Sequence, residues 1–176
     1  MKSPVKLAHI VLKTTRYEDM LAWWKKVLSA DVRHGNDFIT FLSYDNEHHR
    51  MAIVKFPHLR ERDDGVNGVE HFAFTFASVA DLFAKYKELK QVGITPYWTI
   101  NHGMNFSAYY RDPDGNQVEL QIDAMTEKEA DDFMKSPIFA ANPIGIDVDF
   151  EELIRRLDSG EPAEAIVRYP GYESMA

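Results

Sequence analysis

The segments from Leu7 to Val32 and from Val69 to Ile94 read as two copies of one unit, and this internal repeat constrains the fold more than any single motif. His9 aligns with His71, Asp19 with Asp81, Ala22 with Ala84 and Lys25 with Lys87, each at an offset of 62 (71 − 9 and 81 − 19). Each copy is an apolar strand followed by an amphipathic helix. Met20, Trp23, Trp24, Val27 and Leu28 fall at helical spacing in the first, and Val79, Leu82, Phe83 and Tyr86 in the second. Thr15 with Glu18, and Ser78 with Asp81, have the spacing of capping boxes, so the repeat extends to helix entry.

Short strands follow each helix: Phe38 to Ser43 and Arg50 to Phe56 in the first copy, then Tyr97 to Ile100, Ser107 to Arg111 and Gln117 to Asp123 in the second. Asp45-Asn46 and Asp112-Pro113-Asp114-Gly115-Asn116 supply turn chemistry between them. The unit is therefore βαβββ, and one such half-open sheet cannot bury both of its faces alone. The sequence predicts an α+β fold: two paired βαβββ modules forming a curved mixed sheet around a metal cleft, plus a C-terminal helical tail. The expected domain is 1–124, with modules at about 5–64 and 65–124 and Gly65 to Gly68 as hinge. Residues 125–176 form an extension without a core of its own. In it, Thr126 with Glu129 and Asp149 with Glu152 mark helix starts, the second helix running from Phe150 to Leu157.

Composition removes several functional classes. A chain of 176 residues, 45% hydrophobic, with 11 Phe, 8 Tyr and 3 Trp, suffices for one packed domain. The formal net charge of −8, with no long basic run, argues against nucleic acid and anionic membranes as partners. Cysteine is absent, which excludes disulfides, zinc-thiolate sites and thiol nucleophiles. The start, Met1 to Lys6, lacks the apolar core of a signal peptide, and no run approaches a membrane span; a soluble, cytoplasmic protein is expected.

Strand phase carries the chemistry, because side chains two apart share a face. Phe72, Phe74 and Phe76 share one face of their strand and leave His71, Ala73 and Thr75 on the other. Val118, Leu120 and Ile122 likewise leave Gln117, Glu119, Gln121 and Asp123 opposite. Repeat symmetry puts His9 where His71 is. A lone strand histidine is more often a hydrogen-bonded structural group, and a strand glutamate more often a solvated face. Taken together, two imidazoles and one carboxylate are the ligand set of an open ferrous site, in which the protein fills one face of the metal.

The run His102-Gly103-Met104-Asn105-Phe106-Ser107-Ala108-Tyr109-Tyr110-Arg111-Asp112-Pro113-Asp114-Gly115-Asn116-Gln117-Val118-Glu119 resembles the signature of the type I extradiol ring-cleavage dioxygenases. That signature has a histidine, a short spacer, an aliphatic residue and tyrosine, then Asp-Pro-x-Gly and a metal-binding glutamate; Ala108 departs from its bulky aliphatic position. The family belongs to the vicinal oxygen chelate superfamily, and the match spans about Leu7 to Asp123. The resemblance implies Fe(II), with Mn(II) as substitute, bound by His9, His71 and Glu119. It also implies a catechol-type substrate, dioxygen as co-substrate and a homo-oligomer. His48-His49 followed by Arg50 to Ile53 looks like the family's His-His segment, which makes His49 the acid/base, with His48 or His58 as substitutes. His102 and Tyr109 match a histidine and a tyrosine that hydrogen-bond substrate and oxygen.

Other readings compete. Fosfomycin thiol transferases share the two-histidine, one-glutamate set but carry a phosphonate-binding basic cluster not evident here. A glyoxalase I type of lyase expects a fourth ligand near Lys55 or Pro57. Bleomycin-resistance proteins use the cleft without a metal. His34 is read as an exposed turn residue, Trp23-Trp24 as core, Arg155-Arg156 as a solvated face, and Asp112 and Asp114 as turn residues.

Overall fold

The computed structural model describes residues 2–61, 63 and 65–172. Asp64, the expected end of the first module, and residues 173–176 of the extension lie outside the described residues. The chain divides into two units: residues 2–68 with Asp112–Asn116, and Val69–Arg111 with 117–172.

In the first unit, β1 (Ile10–Thr14) leads into α1 (Tyr17–Val27), followed by β2 (Asp31–Gly35), β3 (Ile39–Ser43) and β4 (Met51–Lys55). The sheet order is β1-β4-β3-β2, with β1 parallel to β4 and the other pairs antiparallel. α1 buries Tyr17, Met20, Trp23, Trp24 and Val27, which confirms the Trp pair as core. Trp24 also donates its indole N–H to Asp112 at 3.1 Å, so the turn carboxylate satisfies a buried donor.

Two local expectations fail here. Thr15 does not cap α1: Arg16 stands at the N-cap without a side-chain cap bond, and Thr14 Oγ1 accepts from the Arg16 N–H at 2.8 Å. His34 lies on β2 rather than in a turn. That strand had no apolar alternation to betray it, because all five of its residues are exposed at the sheet edge.

The second unit repeats the plan with β5 (His71–Thr75), α2 (Val79–Gln91), β6 (Trp98–Asn101), β7 (Asn105–Arg111) and β8 (Gln117–Asp123). β5 runs parallel to β8, and the sheet order β5-β8-β7-β6-β9 gains a short strand, β9 (Ile146–Asp147), at its edge. Ser78 caps α2 by accepting from the Asp81 N–H at 3.1 Å. The extension supplies β9 together with α3 (Glu127–Met134), α4 (Pro137–Ala141), α5 (Phe150–Asp158) and α6 (Ala163–Val167). Thr126 and Glu129 form the capping box of α3, and Asp149 accepts from the N–H groups of Glu151 and Glu152 at the start of α5. Phe150 of α5 stacks on Phe106 of β7 with ring centroids 5.2 Å apart. Arg156, expected on a solvated face, pairs with Glu161. Among the described residues no helix is long and apolar enough to cross a membrane.

Candidate metal and substrate site

In the first unit, His9 lies just before β1, and His48 and His49 lie in the turn before β4. The His9 and His49 rings are 4.4 Å apart, and His48 Nδ1 is 2.6 Å from His49 Nδ1. Phe41 of β3 meets the His49 ring edge-on at 5.0 Å. Desolvation, followed by the neighbouring His9 and His48, pushes the His49 imidazole below its ordinary pKa. His58 stands apart, exposed in the turn after β4.

The second unit gathers His71, Glu119, Tyr109 and His102. His71 opens β5, whose residues alternate between exposed and half-buried, so the strand-phase reading of its two faces holds. Glu119 is on β8 opposite Tyr109 of β7, and Ala73 is its partner on β5. Glu119 is 4% exposed, with Oε2 3.1 Å from His71 Nε2. The other oxygen, Oε1, accepts from Ser107 Oγ at 2.6 Å and from Asn105 Nδ2 at 2.9 Å. On the far side of the imidazole, His71 Nδ1 is 2.5 Å from Glu70 Oε2. This bond is the first cause of a lowered Glu70 pKa. One nitrogen and one carboxylate oxygen thus face each other while their companion atoms are occupied, as carboxylate-histidine-metal arrangements require. This donor pair fits a divalent cation of the borderline kind.

Tyr109 adjoins the pair. Its ring meets His71 edge-on at 5.4 Å and stacks on Trp98 at 4.9 Å. Burial, then the charge and hydrogen bonding of Glu119, holds its phenol well above the usual range, so it remains a donor at neutral pH. His102 Nε2 lies 3.1 Å from the Tyr109 hydroxyl.

The structure therefore brings together His71, Glu119, Tyr109 and His102 in one unit and His9, His48 and His49 in the other. Among the described residues no group of three or more His, Asp or Glu side chains is arranged to hold a metal ion. Glu70, Asn105 and Ser107 escaped the sequence reading. Glu70 sits beside His71 in the chain, but nothing in that adjacency says that its side chain turns onto Nδ1.

Comparison with known proteins agrees with the fold. The model of the Glyoxalase/Bleomycin resistance protein/Dioxygenase superfamily matches residues 6–120. Biphenyl-2,3-diol 1,2-dioxygenase 2 of Rhodococcus globerulus is 40% identical over 171 residues, covering 96% of this chain and 90% of that protein. Biphenyl-2,3-diol 1,2-dioxygenase 3 of the same organism is 43% identical over 143 residues, covering 80% and 75%. Among solved structures, the lactoylglutathione lyase of Agrobacterium tumefaciens has a TM-score of 0.56 at 19% identity, covering 69% of this chain and 96% of the other. FosX of Mesorhizobium loti has a TM-score of 0.55 at 18% identity, covering 73% and 98%. These two are likenesses of fold alone. The repeated βαβββ topology, the match over residues 6–120 and the two dioxygenase relatives place this chain in the glyoxalase/bleomycin resistance protein/dioxygenase superfamily.

Proposed function

We infer that the chain is an Fe(II)-dependent extradiol dioxygenase that opens the ring of a catechol-type diol, such as catechol or 2,3-dihydroxybiphenyl, with dioxygen. The observation that carries this reading is its likeness, over nearly the whole chain, to a biphenyl-2,3-diol 1,2-dioxygenase. The geometry around Glu119 supports it. His71 Nε2 and Glu119 Oε2 are two metal donors, and His9, the repeat counterpart of His71, is the third. A ferrous ion held by them would favour loss of the catechol protons and couple the diol electronically to dioxygen.

The chain's own groups supply the rest. Tyr109, kept protonated, has one O–H, which substrate binding would redirect from its protein partners to an anionic substrate oxygen. Trp98, stacked on Tyr109, fixes the orientation of that ring. His49, with an imidazole pKa below the ordinary value, is a proton acceptor at neutral pH, and His102 gives a second polar contact for substrate or oxygen. Replacing His49 by Ala is expected to lower turnover roughly two to four orders of magnitude while metal is retained.

The test is aerobic incubation of ferrous-loaded protein with a panel of catechols, following oxygen uptake and a yellow ring-opened product. Uptake and product in equal amounts are expected with at least one catechol. Silence across the panel, with iron bound, would overturn the activity.

A further inference from the structure

We propose that the C-terminal extension is a working part of the substrate site: the turn from Asn142 to Gly145 sets which nitrogen of His102 carries the proton. This rests on the reading of His102 as a group that meets substrate or oxygen.

Hydrogen-bond chemistry decides the ring state. His102 Nδ1 lies in hydrogen-bonding contact with the main-chain carbonyl of Ile144. A carbonyl only accepts, so Nδ1 carries the hydrogen. In the neutral ring that leaves Nε2 as acceptor, and Nε2 is the nitrogen turned toward the Tyr109 hydroxyl at 3.1 Å. Reversing the tautomer would leave the carbonyl of Ile144 without its donor and turn an N–H, in place of a lone pair, toward the Tyr109 hydroxyl.

The carbonyl is held in place by the extension itself. Asn142 Oδ1 accepts from the N–H groups of Ile144 at 3.2 Å and Gly145 at 3.1 Å, and its Nδ2 donates to the Gly145 carbonyl at 2.6 Å. Gly145 has a φ of +119°, and a Cβ there would come within 2.4 Å of the Asn101 carbonyl and 2.9 Å of His102 Cα. Only glycine allows this approach. Beyond the turn the contact continues as a seam. β9 pairs with β6, Trp98 Nε1 donates to Asp147 Oδ1 at 2.7 Å, and Asn101 Nδ2 donates to the Val167 carbonyl at 2.9 Å. β6 and the residue after it therefore bring both Trp98, the residue stacked on Tyr109, and His102 against the extension. Residues 142–145 lie outside the stretch matched by the superfamily model, residues 6–120.

The experiment uses the full chain with 15N-labelled histidine, the His102 ring being assigned by its loss in His102→Gln. Long-range proton–nitrogen correlation is expected to show Nδ1 protonated in the neutral parent ring. Asn142→Ala, and as a second variant Gly145→Ala, should shift the ring toward the other tautomer. Both should lower kcat on a catechol about tenfold with a smaller change in KM. Asn142→Asp, which keeps the acceptor for both N–H groups, should recover most of the loss. A parent ring protonated at Nε2, or a ring unmoved by both variants, overturns the proposal. If the ring shifts as expected while His102→Gln turns over like the parent, the positioning stands and the role of His102 in turnover falls.

Discussion

Glu119 is held by one oxygen and turns the other toward His71. Its Oε1 receives Ser107 and Asn105, and both bonds compensate for taking a carboxylate almost wholly out of water. They also stop the carboxylate from turning, so that Oε2 stays on the side of His71 Nε2. Ser107→Ala removes the shorter bond without adding bulk. It is expected to weaken ferrous-ion binding about 10- to 100-fold in an anaerobic competition with a chelator. An affinity equal to the parent's would show that the carboxylate needs no such holding. At this scale the sequence disclosed the face and withheld the setting. Alternation of Val118, Leu120 and Ile122 turned Glu119 the right way, but a strand glutamate opposite an apolar face reads as solvated. Its burial depends on the β7–β8 register, which sets Tyr109 across from Glu119 and Ser107 across from Gln121, and no spacing within either strand states that register.

Helices were legible where a cap was paired with a clear apolar period. Ser78, Thr126 and Asp149 each start the helix expected of them, whereas at Thr15 the chain reaches α1 through Arg16 instead. The docking of the extension was not legible, because Phe150 sits in a charged stretch and its partners lie on elements far away in the chain. Its ring is 2% exposed, stacks on Phe106 and meets Phe83 and Tyr86 edge-on at 5.0 and 5.4 Å. Truncating it removes the transfer free energy of a buried ring and leaves a cavity between α2, β7 and α5. Phe150→Ala is expected to destabilise the fold by roughly 3–5 kcal/mol, read from the denaturant midpoint at unchanged slope. A loss below about 1 kcal/mol would mean that α5 does not depend on this contact.

The two units share a topology, yet the rows around their histidines differ. In the second, β5 pairs with β8 through Ala73 and Glu119; in the first, β1 pairs with β4 through Val11 and Ala52. The repeat offset carries Ala73 onto Val11, so Ala52, 1% exposed, stands where Glu119 would be. The neighbouring strand follows suit. Phe41 faces Ala52 as Tyr109 faces Glu119, and Ile39 faces Val54 as Ser107 faces Gln121. The imidazole was duplicated and its carboxylate, phenol and serine were not. The sequence showed only the duplicated part, because the connections after the two helices differ in length and a single offset no longer aligns the later strands. Of the two matching row positions only Glu119 is a carboxylate, so the proposed set of two histidines and one carboxylate can form once. Anaerobic titration of the metal-free protein is therefore expected to saturate at about one ferrous ion per chain, and Glu119→Ala to abolish that binding. Ala52→Glu should not raise the count to two. It places a carboxylate beside Phe41 and Met51 with no serine or asparagine to receive it, at a cost of roughly 3 kcal/mol or more. Two ions bound by the parent, or by Ala52→Glu, would show that the first unit binds metal on its own.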